Sequence, residues 1–249
     1  MAMDAAKSEK KIAAFIRGYF NSAKKRAAIV GLSGGLDSAV TLALCARALG
    51  KKRVIAAILP SDATPKADIA DAKAFARKLG VRAVFSNIEP AIGAFGSLSS
   101  NRLSRANLSA RIRMATLYSI AQRENGLVVG TGDKSELMLG YFTKYGDGGA
   151  DLLPIGGLYK TEVRALARHL GIPSKIADKP PSPTLWKGQT AESELGFSYA
   201  VADEVLFAIE QGKSKAVLEK KFGKKTVRAI LLRMEKNRHK LLPAPICNV

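Results

Sequence analysis

Apolar residues at helical spacing, Ile12, Phe15, Ile16 and Tyr19, predict an opening amphipathic helix within residues 4–24. A short apolar run at 27–30 then enters a glycine-rich turn, and a helical pattern over 39–49 ends at Gly50. Further apolar runs at 54–59, 81–85 and 127–129 predict strands, and helical periodicity predicts helices at 66–79 and 105–123 between them. Strands alternating with helices imply an α/β fold: a mostly parallel sheet with helices on both faces, whose ligands bind beyond the carboxyl ends of the strands. After Gly140 the pattern changes. Residues 144–149 are polar and glycine-rich and 179–190 hold three prolines, so both are expected to be mobile loops. Helices are predicted at 160–169, 198–211, 214–222 and 224–238, the last two strongly basic.

The length of 249 residues suits one sizeable domain, and 47% hydrophobic with 24% charged residues is a globular composition. No apolar run is long enough to span a bilayer and the first residues carry charge, so the expectation is a soluble, cytoplasmic protein with no membrane partner. Cys45 and Cys247 lack metal-ligand or CxxC spacing and read as structural or incidental. The unusual quantity is charge: 40 Lys and Arg against 21 Asp and Glu leave +19, which attracts polyanions. Nucleic-acid binding would favour basic stripes interleaved with aromatics. Here the cations are scattered and only 6% of residues are aromatic, so anionic nucleotides fit better than RNA or DNA.

Gly31-Leu32-Ser33-Gly34-Gly35-Leu36-Asp37-Ser38 joins the first strand to its helix. Such a junction points backbone N–H groups and the positive end of the helix dipole at one spot, which suits phosphate. Gly34 and Gly35 admit a bulky anion, and the Ser33 and Ser38 hydroxyls can add hydrogen bonds. A carboxylate beside phosphates needs an intervening cation, so Asp37 argues for a Mg²⁺ bridge. The loop has no Walker A ending and no GxGxxG pattern, which disfavours simple γ-phosphate hydrolysis.

SGGLDS resembles the SGGxDS loop of the ATP-pyrophosphatase superfamily, whose members split ATP between its α and β phosphates and adenylate a substrate oxygen. Within that superfamily, Asn107 to Met114 looks like the NxxARxRM helix of NAD synthetases, and Val128 to Glu136 like their VVGTxxxxE segment. The stretch from Gly140 to Asp151, followed by Leu153-Pro154 and Lys160, matches the family's GxFTKYGDGGAD signature throughout. Gly188-Gln189-Thr190, Glu194-Leu195-Gly196 and Arg238-His239-Lys240 follow in family order, so the resemblance covers nearly everything from residue 30 onward. It implies a Rossmann-like fold of the adenine nucleotide α-hydrolase type, with an ATP-pyrophosphatase core at about 27–172 and a loop with C-terminal helices at 173–249. It also implies amidation of deamido-NAD with ATP and ammonia through an adenylate, in a homodimer.

By resemblance, Gly31, Leu32, Ser33, Gly34, Gly35, Leu36, Asp37, Ser38, Thr131, Lys160 and Ser182 would bind ATP, with Asp37 and Glu136 sharing Mg²⁺. Asp37, Lys160 and Asp147 would be catalytic, Asp147 by handling ammonia. A lysine at a helix start opposes the dipole, so a phosphate role explains Lys160 better than helix stability does. Arg111, Lys144, Asp151, His239 and Lys240 match deamido-NAD positions. The less favoured alternatives are a solvated helix charge for Arg111 and a basic chain end for His239-Lys240. Ser182 stands where many relatives carry Thr, and residues 61–68 match no family pattern.

Neither cysteine has a His and acid nearby in the pattern of a glutaminase, which leaves free ammonia or ammonia from a partner. Two rivals remain open. A tRNA-modifying member of the superfamily would use the charge, and a nucleotide-sensing module would use the phosphate loop without turnover.

Overall fold

The computed structural model describes residues 3–99, 101–182, 186 and 188–247. Part of the proline-rich loop expected at 179–190, namely Pro183, Thr184, Leu185 and Lys187, lies outside the described residues. Four parallel strands, β1 (Ala27–Gly31), β2 (Val54–Ile58), β3 (Arg82–Phe85) and β4 (Gly126–Val129), form a sheet in the order β3-β2-β1-β4. Ile29 pairs with Ile55 on one side and Val128 on the other, and a bridge from Val129 to Leu152 lengthens that edge.

Because neighbouring residues on a strand face opposite ways, β1 divides between two cores. Ala28 and Val30 pack with α1 (Ala5–Ser22), α2 (Leu36–Leu49), α3 (Lys66–Leu79) and α7 (Lys160–His169). Ala27 and Ile29 pack under α4 (Glu89–Gly93) and α5 (Arg102–Arg123). A third cluster gathers α6 (Lys134–Leu139), α9 (Ala191–Leu195), α10 (Tyr199–Glu210) and α12 (Lys224–Asn237) around Tyr159, Val205 and Ile230. The remaining helices are α8 (Ser174–Ala177) and α11 (Lys215–Phe222). Among the described residues no helix is long and apolar enough to cross a membrane.

Helices α3 and α7 match their predicted limits. Helix α2 begins at Leu36, three residues before the expected start, with Gly35 as its N-cap, so Asp37 and Ser38 belong to its first turn. The short α4, α6, α8 and α9 have too few residues to show a period. The buried stripe of α1 is Ala13, Ile16 and Phe20, whereas the predicted Phe15 and Tyr19 are exposed.

Glu9 fastens α1 to the body, accepting from Arg47 at 2.7 Å and meeting His169 Nε2 at 2.7 Å. The hydrogen bond from Arg47 holds the Glu9 carboxyl below its ordinary range, although partial burial opposes it. A depressed carboxylate adds stability that is complete above the unfolded pKa and fades as pH falls through the folded value. Glu9→Gln should therefore melt below the wild type at neutral pH, and calorimetry should find the gap closing as pH drops through the carboxylate range.

Candidate functional site

A cleft of about 520 Å³ opens beyond the carboxyl ends of β1, β2 and β4, within the size range of small-molecule sites. Its floor is the turn between β1 and α2. Ser33 N–H donates to Ser38 Oγ at 3.2 Å, Gly35 N–H to Ser33 Oγ at 3.2 Å, and Ser38 Oγ donates to the Gly35 carbonyl at 3.0 Å. Two hydroxyls thus hold the turn open against collapse. Gly34 has φ +84°, and a Cβ there would lie 2.3 Å from the Asp68 carbonyl oxygen, so α3 abuts the turn directly.

At one end of the turn sits Lys160, the first residue of α7, only 1% exposed. Its ammonium lies 2.8 Å from each of Asp37 Oδ2, Asp133 Oδ2 and Glu136 Oε1. Its placement is built from three helices. Asp37 lies in the first turn of α2; Asp133 caps α6 by accepting from the Glu136 N–H at 2.8 Å; Ser135 Oγ accepts from the Lys160 N–H at 3.0 Å. Asp203 on α10 completes the frame, accepting from Ser135 Oγ at 2.5 Å and from the Thr161 N–H at 2.8 Å.

Burial pushes the Lys160 pKa down, but Asp37, Glu136 and Asp133 together more than reverse that, so it stays well above the ordinary lysine value. Burial pushes Asp133 up to about 6 against the pull of Lys160, and raises Glu136 well above its usual range for the same reason. Asp37 Oδ1 is buried and accepts no hydrogen bond. Among the described residues no three His, Cys, Asp or Glu side chains are arranged to hold a metal by themselves. That donor set suits a hydrated, hard cation taking one or two carboxylates and completing its shell from phosphate and water.

At the other end, Lys179 donates to the Gly34 carbonyl at 3.0 Å, to Asp68 Oδ1 at 2.8 Å and to Asp71 Oδ2 at 3.2 Å. Sequence reasoning missed Lys179, Asp68, Asp133 and Asp203. The position of Asp133 three residues before Glu136, a capping-box spacing, was the one available signal.

Of the predicted ATP residues, Gly31, Leu32, Ser33, Gly35, Leu36, Asp37, Ser38, Thr131, Lys160 and Ser182 all border the cleft, while Gly34 is turned toward α3. Asp147 also borders it. The residue keeps solvent exposure, its carboxyl accepts from the Thr143 N–H at 2.8 Å, and partial desolvation raises its pKa. Among the predicted dinucleotide residues only Lys240 reaches the cleft, donating to the Gly140 and Phe142 carbonyls at 2.8 and 3.0 Å. Arg111 donates to the Lys144 carbonyl at 3.3 Å and Lys144 to the His239 carbonyl at 2.9 Å, a chain on the outer surface. Asp151 lies behind the wall, accepting from the Val128 N–H at 2.7 Å and from Tyr118 at 3.2 Å.

A parallel sheet with a glycine turn at a helix N-terminus, flanked by a lysine among carboxylates, defines a nucleotide-binding α/β protein. The family model for NAD synthase matches residues 9–244, and the chain belongs to that family. It is 48% identical over 240 residues to the NH3-dependent NAD⁺ synthetase of Hyperthermus butylicus, covering 93% of this chain and 87% of that one. The enzyme of the same name from Methanosarcina acetivorans is 47% identical over 98% of both chains. Among solved structures, the NMN synthetase of Francisella tularensis superposes with TM-score 0.90 at 33% identity, over 100% of both chains. The NH3-dependent NAD synthetase of Campylobacter jejuni, solved with nitrate, gives 0.86 at 35% identity, over 99% of this chain and 100% of that one.

Proposed function

We propose that the chain is an ammonia-dependent ligase that amidates deamido-NAD to NAD at the expense of ATP, releasing AMP and pyrophosphate. The observation that carries this reading is the Lys160 cluster beside the phosphate turn. A carboxylate oxygen of the substrate attacks the α-phosphorus, and the bond to the bridging oxygen breaks as pyrophosphate leaves. Ammonia then attacks the acyl carbon, loses a proton, and AMP departs. In the first step negative charge grows on the β and γ phosphates, and Lys160 and the N-terminus of α2 are the groups assigned to stabilise it. Asp37 and Glu136 are the residues to hold Mg²⁺: the buried, unpartnered Asp37 Oδ1 and the hard oxygen donors fit it. That ion supplies charge neutralisation as pyrophosphate leaves. Thr131 and Ser182, both lining the cleft, complete the ATP site.

Arg111, Lys144 and His239 lie on the surface outside the cleft, which supports a dinucleotide site closed by a second copy of the chain. Asp147 is assigned to the ammonia step. Asn in its place keeps an oxygen to accept the Thr143 N–H, so the turn survives while the charge goes. Asp147→Asn should leave adenylation intact and slow amide formation by about 10²-fold, the scale of one acid–base group; equal loss of both steps, read by single-turnover quench, would remove the assignment.

The test of the whole reading is incubation with ATP, Mg²⁺ and ammonium, supplying deamido-NAD, the corresponding acid mononucleotide, or tRNA. AMP, pyrophosphate and NAD from the first arm support it. ADP with orthophosphate, or product only from another arm, would defeat it. Curated relatives named for the dinucleotide stand at 44–48% identity, and a solved structure named for the mononucleotide at 33%, which favours the first arm.

A further inference from the structure

Three carboxylates surround the Lys160 ammonium, yet the metal reading uses only two of them. Asp37 and Glu136 have side chains 24% and 21% exposed and border the cleft, so both can turn toward a bound cation. Asp133 is completely buried behind them and does not border the cleft. Its two oxygens are divided. Oδ1 accepts from the Glu136 N–H and closes the first turn of α6; Oδ2 accepts no hydrogen bond and lies 2.8 Å from Lys160 Nζ.

Capping alone does not call for a charge, because Asn, Ser and Thr cap helices as well as Asp does. A charge removed from water is tolerated only beside an opposite one. The carboxyl at 133, with its second oxygen 2.8 Å from Lys160 Nζ, is therefore explained by Lys160, and its capping bond fixes it against moving with substrate. We propose that Asp133 is a positioning residue that holds the Lys160 ammonium beside the phosphate turn when Asp37 and Glu136 turn to a metal. The inference rests on the metal assignment above and adds a residue that never touches substrate. Without Asp133, Lys160 has no counter-charge except Asp37 and Glu136, and so competes with the cation for them.

The test uses the full chain with Asp133→Asn and Asp133→Ser, both of which retain an oxygen for the Glu136 N–H. Mn²⁺ binding in the presence of α,β-methylene-ATP is followed by electron paramagnetic resonance, with thermal melting alongside. Both variants should melt near the wild type and need about tenfold more Mn²⁺ for half-saturation, the usual scale for groups that orient a metal's ligands. Turnover should fall while the KM for deamido-NAD holds. Wild-type Mn²⁺ affinity in a variant of lowered melting temperature would reduce Asp133 to a helix cap and overturn the proposal. Unchanged affinity and melting would overturn it too. A wild-type chain that makes NAD but binds no Mn²⁺ removes the metal assignment and this inference together, whereas binding without NAD formation strikes at the functional reading alone.

Discussion

Lys160→Met should abolish turnover and weaken the fold together. Methionine fills the volume of the lysine stem but leaves Asp37, Asp133 and Glu136 facing one another with no cation between them. Removing one partner of a buried ion pair costs about 3–5 kcal/mol, because the charges left behind stay desolvated. The three carboxylates can recover part of that loss by taking up protons, so the variant should bind more protons on folding than the wild type does. A divalent cation gives them another remedy. Denaturant titration should show the stability deficit in chelator and a smaller deficit in excess Mg²⁺, while ATP cleavage stays absent in both. A deficit untouched by Mg²⁺ would mean that the three acids do not converge on a space a cation can enter.

Much of this arrangement was legible in the chain, though unevenly. The apolar runs located all four strands: β1, β2 and β4 are buried and read as uninterrupted apolar segments, whereas β3 is an exposed edge strand. The glycine turn announced itself through residues that suit a phosphate site, and the structure brings all of them but Gly34 to one cleft. Lys160 was identified through family resemblance and its awkward place at a helix start, but its three partners come from separate segments, and no local pattern brings such segments together. Asp133 drew no reading of its own, though its spacing to Glu136 is that of the ordinary cap it forms.

Asp151 shows a structural tie that the sequence did not announce. It was assigned to the dinucleotide from the signature that contains it, yet both its oxygens are occupied by the Val128 N–H and Tyr118, tying the chain after the glycine loop to β4. Sequence states that a carboxylate is present, not which way the backbone turns it. Lys179 was hidden for a related reason. It stood in a segment with no period, and its value comes from bridging Gly34 to Asp68 and Asp71 on α3, a contact that exists only after folding.

The close approach of α3 to the phosphate turn makes Gly34 the most demanding position in the loop. An alanine there must adopt φ +84°, which costs about 1–3 kcal/mol for a residue with a side chain. Its Cβ would also sit 2.3 Å from the backbone oxygen of Asp68, so either the turn or the start of α3 has to move. Moving α3 pulls Asp68 from Lys179, and moving the turn displaces the N–H groups meant for phosphate. Both routes misplace the turn by an amount that costs on the order of 10²-fold in rate. Gly212 separates these effects. It has φ +70° with nothing within 4 Å of an added Cβ, in the link between α10 and α11. Gly212→Ala should lose a similar increment of stability and keep full activity, whereas Gly34→Ala should lose both, with the KM for ATP raised. Equal activity in the two variants, measured by pyrophosphate release, would show that the contact with α3 does not set the shape of the turn.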